Sequence, residues 1–146
     1  IKIDISALLV TVNKLKLYKE EEEKLEYGRK VHELFELTDF HNIDNLKDKD
    51  KDIIIKFLDK VEIGTANTYK EYEFIYEKDN ITYHGIIDLI LEYDDYIKII
   101  DYKLKNINDD AYIKQLNGYK DYIEKVFGKP TYIYLYSIID NKLEKL

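Results

Sequence analysis

The segment Gly85-Ile-Ile-Asp-Leu-Ile-Leu-Glu-Tyr-Asp-Asp-Tyr-Ile-Lys-Ile-Ile-Asp-Tyr-Lys103 decides how this chain folds. Residues 85–93 and 96–103 are rich in Ile, Leu and Tyr, and Asp94-Asp95 lies between them. That is the composition of two strands joined by a tight turn. With residues 94 and 95 as the loop, Tyr93 faces Tyr96 and, counting outward, Asp88 faces Asp101. Directly opposed side chains have Cβ atoms ~5 Å apart, a spacing at which like charges repel. Lys103, two residues beyond Asp101, projects from the same face of the strand. Two carboxylates within apolar strands are costly unless a cation or a proton compensates them. A hard divalent ion with oxygen ligands is the natural compensator. The plainer alternative for the same spacing is a strand-end aspartate with Lys103 as its surface ion pair.

Working outward, Tyr69 to Glu77 alternates and reads as a strand, Lys78-Asp79-Asn80 as a turn, and Ile81 to Glu92 as the next strand. Tyr96 to Leu104 completes an antiparallel meander. Upstream, Leu15, Leu17, Leu25, Val31, Leu34 and Phe35 recur at roughly helical spacing over residues 13–37, and the charged run Lys19 to Lys24 reads as the solvated face. Gly28 in that helix costs ~1 kcal/mol against Ala, so it marks either close packing or a break. His41 to Lys49 reads as a loop, and Asp50 or Asp52 as the cap of a short helix ending at Val61. Downstream, Asn108-Asp109-Asp110 offers caps for a helix over 111–127, which Gly128 and Pro130 stop. Thr131 to Ile139 reads as a fourth strand, and Asp140-Asn141 turns into a short fifth. The expected class is α/β (α+β), a mixed central sheet with a three-strand antiparallel meander flanked by helices, in a single domain spanning 1–146.

Composition narrows the chemistry. The 146 residues are 45% hydrophobic and 36% charged, which is the balance of a folded rather than a disordered chain. No cysteine is present, so a disulfide framework, a thiolate zinc site and an iron–sulfur cluster are excluded from these residues. No apolar run approaches the ~20 residues of a membrane span, and no secretory leader is visible, so the expectation is a cytoplasmic setting without membrane attachment. The sequence contains no methionine, even at position 1, and reads as a fragment of a longer polypeptide. Its 15 tyrosines, many Lys, Ile and Asn, and Arg29 as sole arginine are the mark of an AT-rich coding background. The net charge of −7, taken alone, argues against nucleic acid, whose binding is driven by Lys and Arg. A bound divalent ion and a local lysine patch can reverse that field within one groove.

Two further groups have competing readings. His32 has Phe35 and Glu36 at i+3 and i+4; it is either a packed helix residue or, if the helix crosses the carboxylate edge of the sheet, part of a metal shell. Tyr112, Gln115 and Tyr119 share one helical face, which either packs tyrosine edges into the core or presents Gln115 and the Tyr119 hydroxyl to a groove. Glu71 and Glu73 read as polar strand positions, with a supporting role open to Glu71. His41 and His84 read as structural.

Taken together, Gly85-x-Ile-Asp88-Leu-Ile, then Ile-Ile-Asp101-Tyr-Lys103, then Tyr112-x-x-Gln115-Leu-x-x-Tyr119 resembles the PD-(D/E)xK nuclease superfamily. More narrowly it resembles the nuclease domains of the RecB and AddA helicase–nucleases, which close UvrD-type helicase chains. Gly28-Arg-Lys-Val-His32-Glu-Leu-Phe-Glu36 is similar to the family's glycine-then-histidine helix, and Lys70-Glu71-x-x-Phe74 to its Glu-x-x-Phe strand. Gly128-Lys-Pro130 followed by Tyr134-Leu-Tyr136 also fits. The landmarks run in order from about residue 28 to residue 137, most of the chain. Ile87 stands where the superfamily name has Pro, and the absence of cysteine selects the cluster-free branch.

The resemblance implies a restriction-endonuclease-like fold and a C-terminal nuclease module of a larger helicase–nuclease acting in double-strand break repair and recombination. It implies Mg²⁺, with Mn²⁺ able to substitute, held by His32, Asp88, Asp101 and the backbone carbonyl of Tyr102. Asp88, Asp101 and Lys103 would be catalytic, and Gln115 and Tyr119 would belong to the substrate groove. The implied activity is exonucleolytic, and the implied partners are DNA, mainly single-stranded, and helicase domains in the same chain or a partner subunit. The alternative from a different class is a catalytically inert nucleic-acid-binding or docking module that keeps the fold.

Overall fold

Three antiparallel strands form the first half of a five-stranded sheet: β1 (Asn67–Lys78), β2 (Ile81–Glu92) and β3 (Ile97–Lys103). They are preceded by α1 (Ile5–Leu37) and α2 (Asp48–Val61) and followed by α3 (Asp110–Phe127), β4 (Thr131–Ser137) and β5 (Lys142–Lys145). This computed structural model describes residues 5–104 and 110–146, with the side chains of α1 described at residue 16 and from residue 19 onward. The sheet order is β1-β2-β3-β4-β5. α3 is the crossover that lets β4 run parallel to β3, and β5 returns antiparallel to β4. The fold is thus the mixed α/β arrangement that the sequence predicts.

The hairpin arithmetic holds. Leu89 pairs with Ile100, Ile90 with Ile99, Leu91 with Lys98 and Glu92 with Ile97, the register that a loop at 94 and 95 dictates. Asp79 and Asn80 both have positive φ, at 54° and 64°, as a two-residue hairpin turn between Lys78 and Ile81 requires. Several of the expected ends differ: β1 runs from Asn67 through Lys78 rather than from Tyr69 to Glu77, and β3 from Ile97 to Lys103 rather than from Tyr96 to Leu104. α1 begins earlier than residue 13, at Ile5. α2 starts at Asp48 behind Lys47, which makes no side-chain cap, so Asp50 lies in its first turn and Asp52 inside it rather than before it. β4 stops at Ser137, short of Ile139. The expected caps Asn108 and Asp109 lie outside the described residues.

Each face of the sheet carries its own core. On one side, Val31 and Phe35 of α1 and Ile54, Phe57 and Val61 of α2 pack with Leu89, Leu91, Ile100, Tyr102 and Tyr136. On the other, Leu116, Tyr119 and Ile123 of α3 cover Phe74, Ile87, Ile90, Ile97, Ile99, Ile133 and Leu135. β3 and β4 alternate cleanly between the two cores, whereas β1 and β2 do not. In β2 both Ile87 and Ile90 face α3, so the two residues between them, Asp88 and Leu89, serve the α1/α2 side. In β1 the partners Lys70 and Glu71 do the same: Lys70 lies 4.0 Å over the Phe40 ring and Glu71 faces His32, while Tyr69 and Tyr72 both pack towards α3. Glu71 has φ 48°, and the ladder skips the pair Glu71–Asp88 while keeping one register on either side of it. A strict two-residue period misses this local turn of both strands.

Candidate functional site

The pairing of β2 with β3 ends at Leu89 and Ile100, one step before the two aspartates. β3 continues against β4 instead, pairing Asp101 with Leu135, Tyr102 with Tyr136 and Lys103 with Ser137. Where the strands part, Asp88 takes over the work of the ladder: its Oδ2 accepts the backbone N–H of Tyr102 at 2.8 Å. Its Oδ1 lies 2.8 Å from His32 Nε2. Asp101 is buried, and Lys103 Nζ approaches its Oδ2 to 3.4 Å. That contact has the reach of an ion pair but not the geometry of a hydrogen bond, so Asp101 Oδ2 is a buried oxygen that accepts none. Burial, then repulsion from Asp88, pushes the Asp101 carboxyl up to about 7, against the pull of Lys103.

α1 reaches the sheet through Gly28 and His32. A Cβ at position 28 would come within 2.7 Å of Leu104 Cδ1, so glycine lets the helix close on the end of β3 one turn before the histidine. The His32 ring then stands edge-on to Tyr102, with centroids 5.5 Å apart. The hydrogen bond to Asp88 raises the histidine's proton affinity, burial partly opposing it. Its other nitrogen, Nδ1, is 3.6 Å from Glu71 Oε1. Among the described residues, His32, Glu36 and Glu71 form a group whose ligand atoms all lie within 4.8 Å of one another, a spacing that one metal ion could span. Burial raises the Glu71 carboxyl, as expected for an anion withdrawn from water without a full countercharge.

On the opposite side, α3 supplies Tyr112, Gln115 and Tyr119. Lys103 Nζ sits 3.8 Å above the centre of the Tyr112 ring, a cation–π contact that holds the ammonium beside Asp101. Gln115 Nε2 donates to the Tyr119 hydroxyl at 2.8 Å. Tyr119 lies on β2 because position 85 is glycine: a Cβ there would stand 2.8 Å from Tyr119 Cε1 and 2.5 Å from Phe74 Cζ. Burial raises the Tyr119 phenol, and the charges of Asp101 and Asp88 add to it, which puts this hydroxyl within their field.

The sequence-predicted residues therefore fall into three contacts. His32 meets Asp88, Asp101 meets Lys103, and Gln115 meets Tyr119. The repulsion between Asp88 and Asp101 links the first two. Tyr102 enters through its backbone N–H, and its hydroxyl is buried without a hydrogen-bond partner. Glu36 and Glu71 were not among the expected ligands. Their signal was the i+4 spacing from His32 for one, and for the other a strand position opposite Asp88.

The fold is thus a mixed α/β sheet that places two carboxylates, a lysine and a helix histidine, donors of the type hard divalent cations take, where two strands separate. In sequence, the chain is similar to the ATP-dependent helicase/nuclease subunit designated A in several clostridia. It is 33% identical over 87 residues to that of Clostridium acetobutylicum, covering 53% of this chain and 7% of the relative. To that of Clostridium beijerinckii it is 38% identical over 93 residues, covering 58% of this chain and 8% of the relative. The Clostridium botulinum (strain Okra / Type B1) protein is 31% identical over 93 residues, covering 58% and 7%. The aligned region is thus a small part of the curated relatives' length. No protein-family model matches the chain. No described helix is long and apolar enough to cross a membrane.

Proposed function

We propose that this chain is a metal-dependent nuclease domain of the PD-(D/E)xK type that hydrolyses phosphodiester bonds of DNA, chiefly single strands, as part of a helicase–nuclease acting in double-strand break repair and recombination. The observation that carries the reading is that Asp88 lies close enough to Asp101 to repel it, with Lys103 beside Asp101, where β2 leaves β3. Similarity to helicase/nuclease subunits supports the setting.

The donor types suit a hard divalent ion, although among the described residues the ligand atoms already within 4.8 Å of one another are those of His32, Glu36 and Glu71, not those of His32, Asp88 and Asp101. Asp101 Oδ2 is buried and accepts no hydrogen bond, Asp88 is its repelling neighbour, and His32 and Glu71 stand beside them. Asp88, Asp101, His32 and the Tyr102 carbonyl would hold Mg²⁺ or Mn²⁺. Bound there, the ion supplies charge neutralisation and Lewis-acid polarisation of a phosphoryl oxygen. The chain's own groups do the rest. Asp88, fixed by the Tyr102 N–H and His32, sets the position of the carboxylate pair. Lys103, held over Tyr112 as an ammonium, orients the attacking water and offsets charge developing on the phosphate. Gln115 and the Tyr119 hydroxyl contact the strand.

The test is single alanine substitution of Asp88, Asp101 and Lys103, scored by Mg²⁺-dependent degradation of labelled single-stranded DNA. Each is expected to lower the rate by at least ~10²-fold, the scale of removing one charge-stabilising group. Cleavage retained by all three variants refutes the assignment.

A further inference from the structure

We infer that the groove between the β1–β2 hairpin and α3 is a stacking platform for a single nucleic-acid strand, in which Tyr83, backed by Tyr76 and Tyr122, receives a base and lysines receive the phosphates. The inference deepens the nuclease reading, on which it rests for where the strand leads.

Tyr76 and Tyr83 are opposed across the β1–β2 ladder, and their rings stack with centroids 5.0 Å apart and planes 13° from parallel. Tyr76 also stacks on Tyr122 of α3 at 5.5 Å, and Tyr122 on the buried Phe74 at 4.5 Å. The row is therefore anchored in the core at one end and reaches solvent at the other, where Tyr83 is 39% exposed. Gly118 leaves space for the Tyr76 hydroxyl, which a Cβ there would meet at 2.9 Å. Parallel rings held at a wall of about 750 Å³ of open groove are what an unpaired base needs, because every base has a π-face.

Charge selects the occupant. Lys78, Lys114 and Lys125 line this groove against two carboxylates, Glu77 and Asp121, so the local excess is positive in a chain whose net charge is −7. Aromatic faces interleaved with ammonium groups suit a polyanion that carries bases better than an acidic peptide. Continuity gives the direction. Gln115 and Tyr119 also line the groove, and they are the residues that α3 holds next to the Asp101 centre. A strand lying on the tyrosines thus runs towards the carboxylates.

The experiment is fluorescence anisotropy of a labelled oligothymidylate of about 15 nucleotides, the upper end of a single-strand site, with the whole chain in EDTA so that nothing is cleaved. Tyr83→Leu, which keeps an apolar strand residue but removes the ring, is expected to weaken binding roughly 5- to 100-fold. Tyr83→Trp should restore it, which separates stacking from folding. Lys114→Gln with Lys125→Gln should weaken binding and flatten its salt dependence. Tyr132→Leu, at a position equally exposed at 40% on β4, should change nothing. Unchanged affinity in Tyr83→Leu, an equal loss in Tyr132→Leu, or no binding by the unmodified chain overturns the inference. If Tyr83→Leu binds normally while Asp101→Ala abolishes cleavage, the platform falls and the nuclease reading stands. If Tyr83→Leu loses binding while Asp88→Ala, Asp101→Ala and Lys103→Ala all cleave normally, the platform stands and the nuclease reading falls.

Discussion

Replacing Asp101 by Asn should make the metal-free protein more stable at pH 8. Burial and the neighbouring Asp88 raise the Asp101 carboxyl from 3.8 to about 7, so the folded chain holds this proton more tightly than the unfolded one. The sign follows from linkage. As pH rises from the unfolded value to the folded one, the unfolded state releases its proton first, stability falls, and above about 7 the full cost of a buried anion is present. The two values correspond to at most roughly 4 kcal/mol at pH 8. Asn keeps the shape but gives up the 3.4 Å contact with Lys103, which returns part of that gain. The expected net is about 2 kcal/mol, or a rise in Tm of about 6 °C for a domain of this size. Urea unfolding followed by circular dichroism in EDTA, at pH 5 and pH 8, measures it. His32, whose proton affinity Asp88 also raises, loses stability as pH rises too, but both proteins share it, so their difference isolates Asp101. Adding Mn²⁺ at pH 8 should stabilise the unmodified chain and leave Asp101→Asn nearly unmoved. A variant no more stable than its parent at pH 8, with the same slope against pH, refutes the reasoning.

Two other perturbations probe the frame around the site. Gly85→Ala places a Cβ 2.5 Å from Phe74 and 2.8 Å from Tyr119, so it should cost about 1–3 kcal/mol in urea unfolding and displace the Gln115–Tyr119 pair, slowing cleavage as well. Lys129 donates to Glu92 Oε2 and to the Tyr93 carbonyl, and its hydrogen bond holds the Glu92 carboxyl below the usual range. That stability is present above the unfolded value and lost as pH falls through the folded one, so in urea unfolding Lys129→Met should be less stable than its parent near pH 8, with the two converging on the acid side, where the variant's curve is flatter.

Much of this arrangement is legible before any coordinates. The Ile-rich runs around Asp94-Asp95 fix the β2–β3 register, and Asp79-Asn80 fixes the preceding turn, because both depend on local composition and turn chemistry. Lys103 beside Asp101 follows from the two-residue period of a strand. Glu71 is different. Its contact with His32 depends on a left-handed backbone at a glutamate and on β2 turning with β1, which only the packing of both faces decides. The uncapped start of α2 at Lys47 is likewise a tertiary outcome, since Asp50 and Asp52 offer better local caps. The tyrosines of the groove are visible as letters, but a biased composition conceals which of the 15 stack in solvent.

The early parting of β2 from β3 makes the site mechanically lopsided. Asp101, Tyr102 and Lys103 stay in register with β4, so the amides of Asp101 and Lys103 should resist hydrogen exchange like the interior of the sheet, whereas that of Tyr102 depends on Asp88. Asp88 has no such seam with β3 and is tethered there through a side-chain oxygen. Any displacement of the β1–β2 ribbon would therefore carry Asp88 with it and leave the acid–lysine strand as the fixed reference.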